Sequence, residues 1–490
     1  MLNYVSNETN SFLNSISKED RKKIGQFFTD VDVAKFMAQL YVPTKKHLDI
    51  LDPGAGSGIL SAAIISELEN TDVESINLTL YENDSRILPL LKNNLKFVSE
   101  NTSINLEYEI IEKNYILDNT FEIANQELCK KEYDFVIANP PYFKISKKAP
   151  EAQQMESICY GAPNIYFLFM AMSLHQLSEG SEMVFIIPRS WTSGAYFKKF
   201  REYLVSVGKI KQIHLFVSRD KVFNNENVLQ ETIIIHVIKS KKPLEFIKIS
   251  SSSNNDFSSI DNFEVPYELA ISDDENHFVY LPTNMEEVKV LNDVHKFDCS
   301  FSSEEIKLRT GLTVDFRNRE YLEETSNKDN VPLFYPFHFN NNFIDFPVEN
   351  EKKQYVNMSK KGLIQENKNY LFIKRFTSKE EKRRLQPAIY LKEDFSNYDY
   401  ISTENKINFI ESTNDEDLSK EQVYGLFVIF NSTLYDKYYR ILNGSTQVNA
   451  NEINSLCIPS RNTLENIGRI LINKNDFSVE SCDEILGSIL

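Results

Sequence analysis

The sequence predicts an α/β fold with a doubly wound, mostly parallel sheet in its first half, followed by a C-terminal α+β domain. Three observations support this prediction. Short apolar runs alternate with helical patterns up to about residue 240, a glycine cluster separates one of these runs from the next helix, and a Ser- and Asn-rich stretch then interrupts the pattern. Such alternation is typical of parallel sheets, because each crossover between parallel strands needs a long connection, usually a helix.

The apolar runs of the first half predict its strands in chain order, as HLDILD, INLTLYE, LEYEII, YDFVIANP and EMVFIIP. Helical patterns cover residues 31–40, 59–68, 165–177 and 196–205. Two further apolar runs, KIKQIHLF and ETIIIHVIK, are joined by the polar residues 218–230. We expect these two runs to pair as an antiparallel edge of the sheet.

The chain is predicted to contain two domains. Residues 241–262 are rich in Ser, Asn and Asp and show little periodicity, so we assign them to a linker between residues 1–240 and residues 263–490. In the second domain, the aromatic-rich runs FYPFHF, NYLFIKRF and AIYLKED predict strands, and residues 420–439 predict a helix.

The composition excludes several classes of protein. With 490 residues, 54 Lys+Arg and 71 Asp+Glu, the formal net charge is −17, which excludes a generic polyanion binder. The five cysteines form no CxxC pair, so neither a zinc cluster nor a disulfide framework is indicated, and no metal site is expected. The longest apolar stretch, residues 165–172, is far shorter than the roughly 20 residues that span a bilayer. Since no signal peptide is recognisable either, we expect a cytoplasmic protein that binds no membrane.

The charge is nevertheless distributed unevenly. Residues 131–240 contain 13 basic and 10 acidic residues, and residues 367–384 contain seven basic and two acidic ones. Such regions can bind a polyanion locally, although a solvated charged face is an equally good explanation of the pattern alone.

A glycine-rich loop predicts a site for a nucleotide-type ligand. It runs from Asp52 through Pro53, Gly54, Ala55, Gly56 and Ser57 to Gly58, after the strand HLDIL and before a helix. Glu82 ends the next strand, where an acidic residue can bind ribose hydroxyls. The loop is neither a Walker A sequence, since no GK[ST] follows, nor a G-x-G-x-x-G dinucleotide sequence, and the fold is predicted to be Rossmann-like.

The spacing D-P-G-A-G-S-G resembles motif I of the class I S-adenosylmethionine-dependent methyltransferases. Upstream, residues 25–29 (Gly-Gln-Phe-Phe-Thr) resemble the N-terminal cofactor-side motif of DNA adenine methyltransferases. That motif ends in Thr-Pro-Pro in the family, whereas this chain continues as Thr29-Asp30-Val31, with Thr29 and Asp30 as candidate helix caps. The resemblance implies S-adenosylmethionine as the cofactor.

A tetrapeptide, Asn139-Pro140-Pro141-Tyr142, follows the strand YDFVIA at the end where open α/β sheets bind their ligands. The Asn139 side-chain oxygen and the Pro140 carbonyl can each accept one N–H of an exocyclic amine, which directs the nitrogen lone pair toward an incoming methyl group. The two prolines fix the backbone, and Tyr142 offers a ring on which an extruded base can stack. No nucleophilic side chain is required.

In this order, the glycine loop, the Glu82 strand and the N-P-P-Y box resemble the gamma-type adenine-N6 DNA methyltransferases of bacterial restriction–modification systems. The resemblance covers residues 24–239 well and the C-terminal half more loosely. It implies that Asn114 takes the place of an Asp that accepts from the cofactor's adenine amino group, and that Phe223 forms a second wall around the flipped base. Phe223 as a buried loop anchor is the alternative. The resemblance assigns cofactor contacts to Phe28, Thr29, Asp52, Pro53, Gly54, Ala55, Gly56, Gly58, Glu82, Asn83, Asn114, Tyr115, Asn139 and Pro141.

The segments 311–320 and 430–460 of the C-terminal half resemble parts of target-recognition domains in these enzymes. Amides can pair with adenine, and basic side chains can contact guanine edges or phosphates, although a structural role is the commoner use of each single residue. The candidate DNA contacts are Lys144, Lys147, Lys148, Arg309, Arg317, Arg319, Lys374, Arg375, Arg383, Arg384, Arg440, Gln447 and Asn449.

The resulting hypothesis is a monomeric, site-specific enzyme that transfers a methyl group from S-adenosylmethionine to N6 of a flipped adenine in double-stranded DNA. It would act with a companion restriction endonuclease or as an orphan. Cytosine C5 methylation is disfavoured because no Pro-Cys nucleophile is present, and N4 methylation usually has Ser in place of Asn139. The alternative is a ribosomal RNA or protein-glutamine N-methyltransferase, which uses the same box in a shorter chain. A non-catalytic DNA-binding subunit is a third hypothesis.

Overall fold

The computed structural model describes residues 1–15, 28–121, 131–216, 232–252, 257–378, 381–414, 416–443 and 446–490. Residues 25–27 and Phe223, which the sequence analysis singled out, lie outside this part of the chain. The chain forms two compact units, unit 1 (Met1–Thr283) and unit 2 (Asn284–Leu490).

Unit 1 is built on one large sheet. Within the described residues its strands are β1 (His47–Asp52), β2 (Ser75–Tyr81), β3 (Asn105–Ile111), β4 (Tyr133–Ala138), β5 (Leu177–Pro188), β6 (Gly208–Phe216), β7 (Thr232–Lys239), β8 (Phe246–Ser252) and β9 (Asp261–Pro266). The order across the sheet is β3-β2-β1-β4-β5-β7-β6-β8-β9. Strands β1 to β5 are parallel, β7 is antiparallel to both β5 and β6, and β9 is antiparallel to β8. These pairings confirm the predicted α/β class.

The helices of unit 1 in the described residues are α1 (Leu2–Ser15), α2 (Val31–Gln39), α3 (Ile59–Leu68), α4 (Leu88–Asn101), α5 (Tyr115–Asp118), α6 (Pro150–Gln154), α7 (Ile165–Gln176), α8 (Lys198–Val207) and α9 (Tyr267–Ala270). Every residue of α7 is buried, as its nearly continuous apolar sequence predicts. Among the described helices, none combines the length and the apolar character needed to cross a membrane.

The centre of the sheet determines where the site lies. Strands β1 and β4 are neighbours, although the chain passes through β2 and β3 between them. Their apolar residues Ile50, Leu51, Phe135 and Val136 are fully buried, as expected for a strand covered on both faces. Because the order of strands reverses between β1 and β4, a crevice forms beyond their carboxyl ends.

The predicted linker, residues 241–262, differs from the structure, because it contributes β8 and the start of β9 to the sheet. The serines that suggested a linker are buried: the hydroxyls of Ser250 and Ser252 lie 2.9 and 3.1 Å from the two ring nitrogens of His214 on β6. Strands β6 and β7 do pair in antiparallel fashion, but they lie inside the sheet, whose two edge strands are β3 and β9. The boundary between the compact units follows Thr283.

Unit 2 has the predicted α+β character. Its described strands are β10 (Cys299–Ser300), β11 (Ile306–Thr310), β12 (Leu322–Glu323), β13 (Asn330–Phe334), β14 (Phe339–Asn340), β15 (Phe343–Ile344), β16 (Tyr355–Asn357), β17 (Gln365–Glu366), β18 (Tyr370–Lys374), β19 (Pro387–Tyr390), β20 (Tyr400–Thr403), β21 (Ile407–Ser412) and β22 (Cys457–Ile458). In this part of the chain they form sheets ordered β11-β21-β18-β19-β15-β14, β12-β16-β13-β20-β17 and β10-β22.

The described helices of unit 2 are α10 (Met285–His295), α11 (Lys420–Asn431), α12 (Thr433–Leu442), α13 (Ala450–Asn454), α14 (Arg461–Lys474) and α15 (Val479–Gly487). The single helix predicted for residues 420–439 is interrupted at Ser432, which is extended and whose hydroxyl accepts from the Tyr435 amide at 3.2 Å. The run FYPFHF is also not one strand. It ends β13, forms a short 3₁₀ turn that begins at Pro336, and then starts β14.

Candidate active site

The glycine-rich loop joins β1 to α3 at the crevice. The amide of Ala55 donates to the Tyr81 carbonyl at 2.9 Å, and the amide of Gly56 donates to Glu82 Oε2 at 3.0 Å. Gly56 and Gly58 have φ angles of 54° and 80°, a region that glycine adopts without steric cost. The loop is therefore bound to the end of β2.

Glu82 is buried, with 3% of its surface exposed. While Oε2 accepts from Gly56, Oε1 accepts from the Asp84 amide at 2.8 Å. The carboxylate is thus oriented by main-chain donors, and Asn83 next to it is exposed at the mouth of the loop. This is the position at which the sequence predicted an acidic residue for ribose hydroxyls.

Asp52 lies at the end of β1 and is fully buried. Its Oδ2 accepts from the Ser61 hydroxyl at 2.8 Å. Burial raises the pKa of this carboxyl group to about 7, and the nearby charge of Glu82 adds to the shift. Asp52 can therefore change its charge near neutral pH.

The residues before α2 reach the same crevice. A Cβ atom placed on Gly56 would lie 3.7 Å from the Phe28 ring, so this ring covers the loop. The buried Thr29 hydroxyl accepts from Asn139 Nδ2 at 3.0 Å. Asp30 caps α2 through its side chain, which accepts from the Asp32 amide at 2.9 Å. The departure from Thr-Pro-Pro therefore leaves the helix start intact.

The tetrapeptide follows β4 and faces the glycine loop. A Cβ atom on Gly54 would lie 4.0 Å from the Asn139 carbonyl oxygen and 3.7 Å from the Phe169 ring, so the two motifs are in close contact. Asn139 is half-buried. Its amide lies between two hydroxyls, because Nδ2 donates to Thr29 and Oδ1 accepts from the Tyr142 hydroxyl at 2.7 Å.

The Tyr142 hydroxyl has a second acceptor, the Ile186 carbonyl at the end of β5, also at 2.7 Å. Burial of this hydroxyl raises the pKa of Tyr142 well above its usual range, so it stays protonated as a donor. The Tyr166 ring contacts the Tyr142 ring edge to face, with centroids 6.1 Å apart. The orientation of the half-buried Tyr142 ring is thus set by β5 and α7.

Asn114 and Tyr115 make contacts inside unit 1 that the sequence did not predict. Asn114 Oδ1 accepts from the amides of Ile116 and Leu117 as the N-cap of α5, and Nδ2 donates to Glu151 at 2.9 Å. Tyr115 is buried in the core, where its hydroxyl donates to Gln176 at 2.7 Å. The structure thus uses both side chains to position α5.

The predicted DNA contacts fall into four groups, the last of which consists of the buried Arg384. Lys144, Lys147 and Lys148 follow the tetrapeptide and are exposed, as are Arg317 and Arg319 in unit 2. Lys374, Gln447 and Asn449 are partly buried. Four arginines have partners within unit 2. Arg309 pairs with Glu411 at 2.5 Å and Arg440 with Asp436 at 2.9 Å, while Arg375 donates to the Asn405 carbonyl at 3.0 Å and Arg383 to the Ser432 carbonyl at 2.8 Å.

Arg384 corrects the prediction, since none of its surface is exposed. Its Nε donates to Thr377 at 3.2 Å, its guanidinium lies 5.6 Å from the centre of the Tyr439 ring, and its amide donates to Asp436. A side chain placed in this way contributes to packing inside unit 2 and does not reach a partner at the surface.

The contacts that orient Asn139 and Tyr142 were not predicted from the sequence. Thr29 was predicted as a cofactor contact, but its bond to Asn139 joins residues 110 positions apart. The Ile186 carbonyl was not considered. Its signal was available in the sequence, because the strand EMVFIIP ends at the same edge of a parallel sheet as YDFVIA.

The site thus consists of a glycine loop after β1, an acidic residue after β2 and an N-P-P-Y box after β4. The part of the chain that contains these three features also matches a known family. Residues 31–223 match the sequence model of the Eco57I restriction-modification methylase family. Residues 31–223, which include the glycine loop, Glu82 and the tetrapeptide, are therefore similar to the methylases of restriction–modification systems.

Comparison of the whole chain identifies the family further. It is 34% identical over 481 residues to the type II methyltransferase M.PstI of Providencia stuartii, covering 96% of this chain and 93% of the relative. It is 35% identical over 464 residues to the type II methyltransferase M.BsuBI of Bacillus subtilis, covering 93% and 91%. The chain therefore belongs to the type II methyltransferases.

A solved structure shares the fold. The type IIL restriction–modification enzyme MmeI, determined in complex with DNA, superimposes with a TM-score of 0.54 at 12% sequence identity. The superposition covers 100% of this chain and 73% of MmeI.

Proposed function

We propose that this chain transfers a methyl group from S-adenosylmethionine to N6 of an adenine that is flipped out of double-stranded DNA, as the modification enzyme of a restriction–modification system. The observation that carries the proposal is the Asn139 amide. It lies between the hydroxyls of Thr29 and Tyr142, at the carboxyl end of β4 and against the glycine loop.

The residues of the crevice fit this cofactor. Gly54 and Gly56 leave space that a Cβ atom would fill, Phe28 covers the loop, and Glu82 presents a carboxylate held by main-chain donors. We assign ribose binding to Glu82 and the remaining cofactor contacts to the loop and Phe28. When bound, the cofactor supplies a methyl group activated by its positively charged sulfur.

The tetrapeptide fits an exocyclic amine. Asn139 Oδ1 and the Pro140 carbonyl oxygen each accept one N–H, which withdraws the nitrogen lone pair from the ring and directs it toward the methyl donor. The Tyr142 hydroxyl can then donate to the Ile186 carbonyl, so that Asn139 Oδ1 is available to the amine. The Tyr142 ring stacks on the base, an interaction worth roughly 1 to 3 kcal/mol.

The relatives favour DNA over the alternative substrates. The similarity to type II methyltransferases extends over 96% of this chain, whereas a ribosomal RNA or glutamine methyltransferase would not require the second unit. Asn139 at the head of the box supports adenine as the target. We assign catalysis to unit 1 and target recognition to unit 2, and we expect a monomer.

The test is sequencing of genomic DNA from a methylation-free bacterial host that expresses the wild type or Asn139→Ala. Removal of one preorganised polar group of this kind costs about 10² to 10³ in rate. We expect N6-methyladenine at one short motif with the wild type, and a loss of at least about 100-fold in methyl transfer by purified Asn139→Ala with cofactor affinity retained.

Asn77→Ala is the matched control, because Asn77 is an exposed asparagine on β2. We expect this variant to methylate like the wild type. Methylation of cytosine, or of ribosomal RNA or protein with none in DNA, would overturn the proposal.

A further inference from the structure

An exposed aromatic surface lies beside the tetrapeptide. Tyr160 and Tyr196 expose 61% and 56% of their surface, and their ring centroids are 6.4 Å apart. Lys144 Nζ lies 5.7 Å from the centre of the Tyr196 ring. We call Tyr160, Tyr196 and Lys144 the tyrosine platform.

The platform is joined to the catalytic residues by short contacts. The segment after Tyr142 pairs with the residues just before α7, since the Ile145 amide donates to the Pro163 carbonyl at 2.9 Å. The centroids of the Tyr142 and Tyr166 rings are 6.1 Å apart, and those of the Tyr166 and Phe197 rings are 5.9 Å apart. Phe197 follows Tyr196 directly in the chain. Both ends of this ring series belong to unit 1.

The backbone supports the exposed position of the Tyr196 ring. Gly161 has a φ angle of 79°, and a Cβ atom at this position would lie 3.2 Å from that ring. A side chain at this position would be strained by the backbone conformation and would crowd the ring. Two large rings held at the surface, rather than buried in the core, are typical of a site that binds a partner.

The charge around the platform indicates the chemistry of the partner. Residues 144–160 and 196–202, which carry the rings, contain the exposed lysines Lys144, Lys147, Lys148 and Lys199 against the acidic residues Glu151, Glu156 and Glu202. In a chain with a net charge of −17, a basic surface beside the catalytic residues attracts a polyanion to this place while the remaining surface repels it.

We propose that the tyrosine platform binds the DNA strand next to the flipped adenine, with the rings stacking on neighbouring nucleotides and Lys144 contacting a phosphate. This inference rests on the proposed function. Nucleotides of one strand follow each other at about 3.4 Å, so a strand with one base against Tyr142 passes the platform within a few nucleotides. Stacking on aromatic rings tolerates any base, so the platform stabilises the distorted strand without reading its sequence.

The test compares Tyr160→Ala, Tyr196→Ala and the double variant in the full chain. The probe is a plasmid DNA fragment that the wild type methylates. Loss of one stacked base corresponds to roughly tenfold weaker binding. We therefore expect Kd and KM for DNA to rise about tenfold in each single variant and further in the double variant, with cofactor affinity and Tm unchanged.

Two further variants separate stacking from packing. Tyr160→Phe and Tyr196→Phe keep the ring and should bind like the wild type. Tyr108→Ala, which truncates a tyrosine that is 38% exposed on the edge strand β3, is the matched control and should bind DNA normally.

Lys144→Ala should lower the salt dependence of binding by about one counterion.

The outcomes distinguish this inference from the proposed function. If the wild type methylates the fragment and the double variant binds and methylates it equally well, the tyrosine platform does not bind DNA, whereas the proposed function still stands. A wild type that methylates no DNA would overturn the proposed function itself.

Discussion

The two units use their polar side chains in different ways. In unit 1, the motif residues Glu82 and Asn139 come from distant parts of the chain, and main-chain amides and hydroxyls hold them at one crevice. In unit 2, arginines that the sequence offered as DNA contacts bind partners within the unit, such as Arg440 with Asp436, or are buried, such as Arg384.

The difference shows which residues a sequence motif can place. The topology of a parallel sheet brings the ends of its strands to one edge, so a residue that follows a strand has a predictable location. The location of an arginine on an irregular α+β unit depends on which acceptors happen to lie near it in space. Variants in both units test this distinction.

Truncation of Arg384 should have the largest effect in unit 2. Because the whole side chain is buried, Arg384→Ala should lower the free energy of unfolding by about 3 kcal/mol, measured by denaturant titration. Arg384→Met retains much of the volume without the buried charge and should stay within about 1 kcal/mol of the wild type. Unchanged stability in Arg384→Ala, with weaker DNA binding, would show that the residue acts at the surface after all.

In unit 1, Glu82→Ala should weaken cofactor binding by about 100-fold, or about 2.7 kcal/mol. It removes both the proposed ribose acceptor and the oxygen that accepts from Gly56 at 3.0 Å. Isothermal titration calorimetry with S-adenosylmethionine measures the change. The control is Glu107→Ala, on the edge strand β3. If both variants bind S-adenosylmethionine with the same affinity, Glu82 does not contact the cofactor.

Asp52 predicts a pH effect on the stability of unit 1. Since burial raises the pKa of Asp52 from 3.8 to about 7, the folded state favours the neutral carboxyl group. The resulting stabilisation is complete below about pH 4 and is lost as the pH rises through 7. Asp52→Asn stays neutral at every pH, so its free energy of unfolding, measured in urea, should rise relative to that of the wild type as the pH increases from about 4 to 7.

The control for this pH effect is Asp49→Asn, whose carboxylate forms a surface ion pair with Lys131 at 3.1 Å. A difference between wild type and Asp52→Asn that does not vary with pH would contradict the prediction.

The exposed arginines of unit 2 should show the smallest effects on stability. Arg317→Ala and Arg319→Ala should each change the free energy of unfolding by less than about 0.5 kcal/mol, because their side chains are exposed. If they contact phosphates, the slope of log Kd for DNA against log salt should decrease by about one in each variant. The control is Arg469→Ala, which removes an exposed arginine that pairs with Glu465. If Arg317→Ala and Arg319→Ala show the same slope as the wild type and the control, neither Arg317 nor Arg319 contacts DNA.

The sequence predicted the central part of unit 1 well, for a physical reason. The glycine loop, Glu82 and Asn139 each follow a predicted apolar strand, and the structure places all three at the crevice of β1 and β4. Helix α3 begins and ends at the predicted residues, because Gly58 marks its start and the apolar pattern ends at Leu68.

The contacts that the sequence did not predict arise in two ways, from pairing between strands that are distant in the chain and from local capping of a helix. Ser250 and Ser252 suggested a linker, but they are buried on β8, where they contact His214 of β6, which is 36 and 38 residues away in the chain. Asn114 was expected at the cofactor, but its local amides compete for the same oxygen as a helix cap. In both cases the polar side chain alone does not specify its partner.

Each unit consists of one uninterrupted stretch of chain, with the change from one to the other after Thr283. A single genetic crossover at this position would therefore replace the whole of unit 2 and leave every described residue of the β1–β4 crevice in its original sequence. With target recognition assigned to unit 2, as proposed above, a new target sequence needs only one junction, at residues where no described strand or helix is cut.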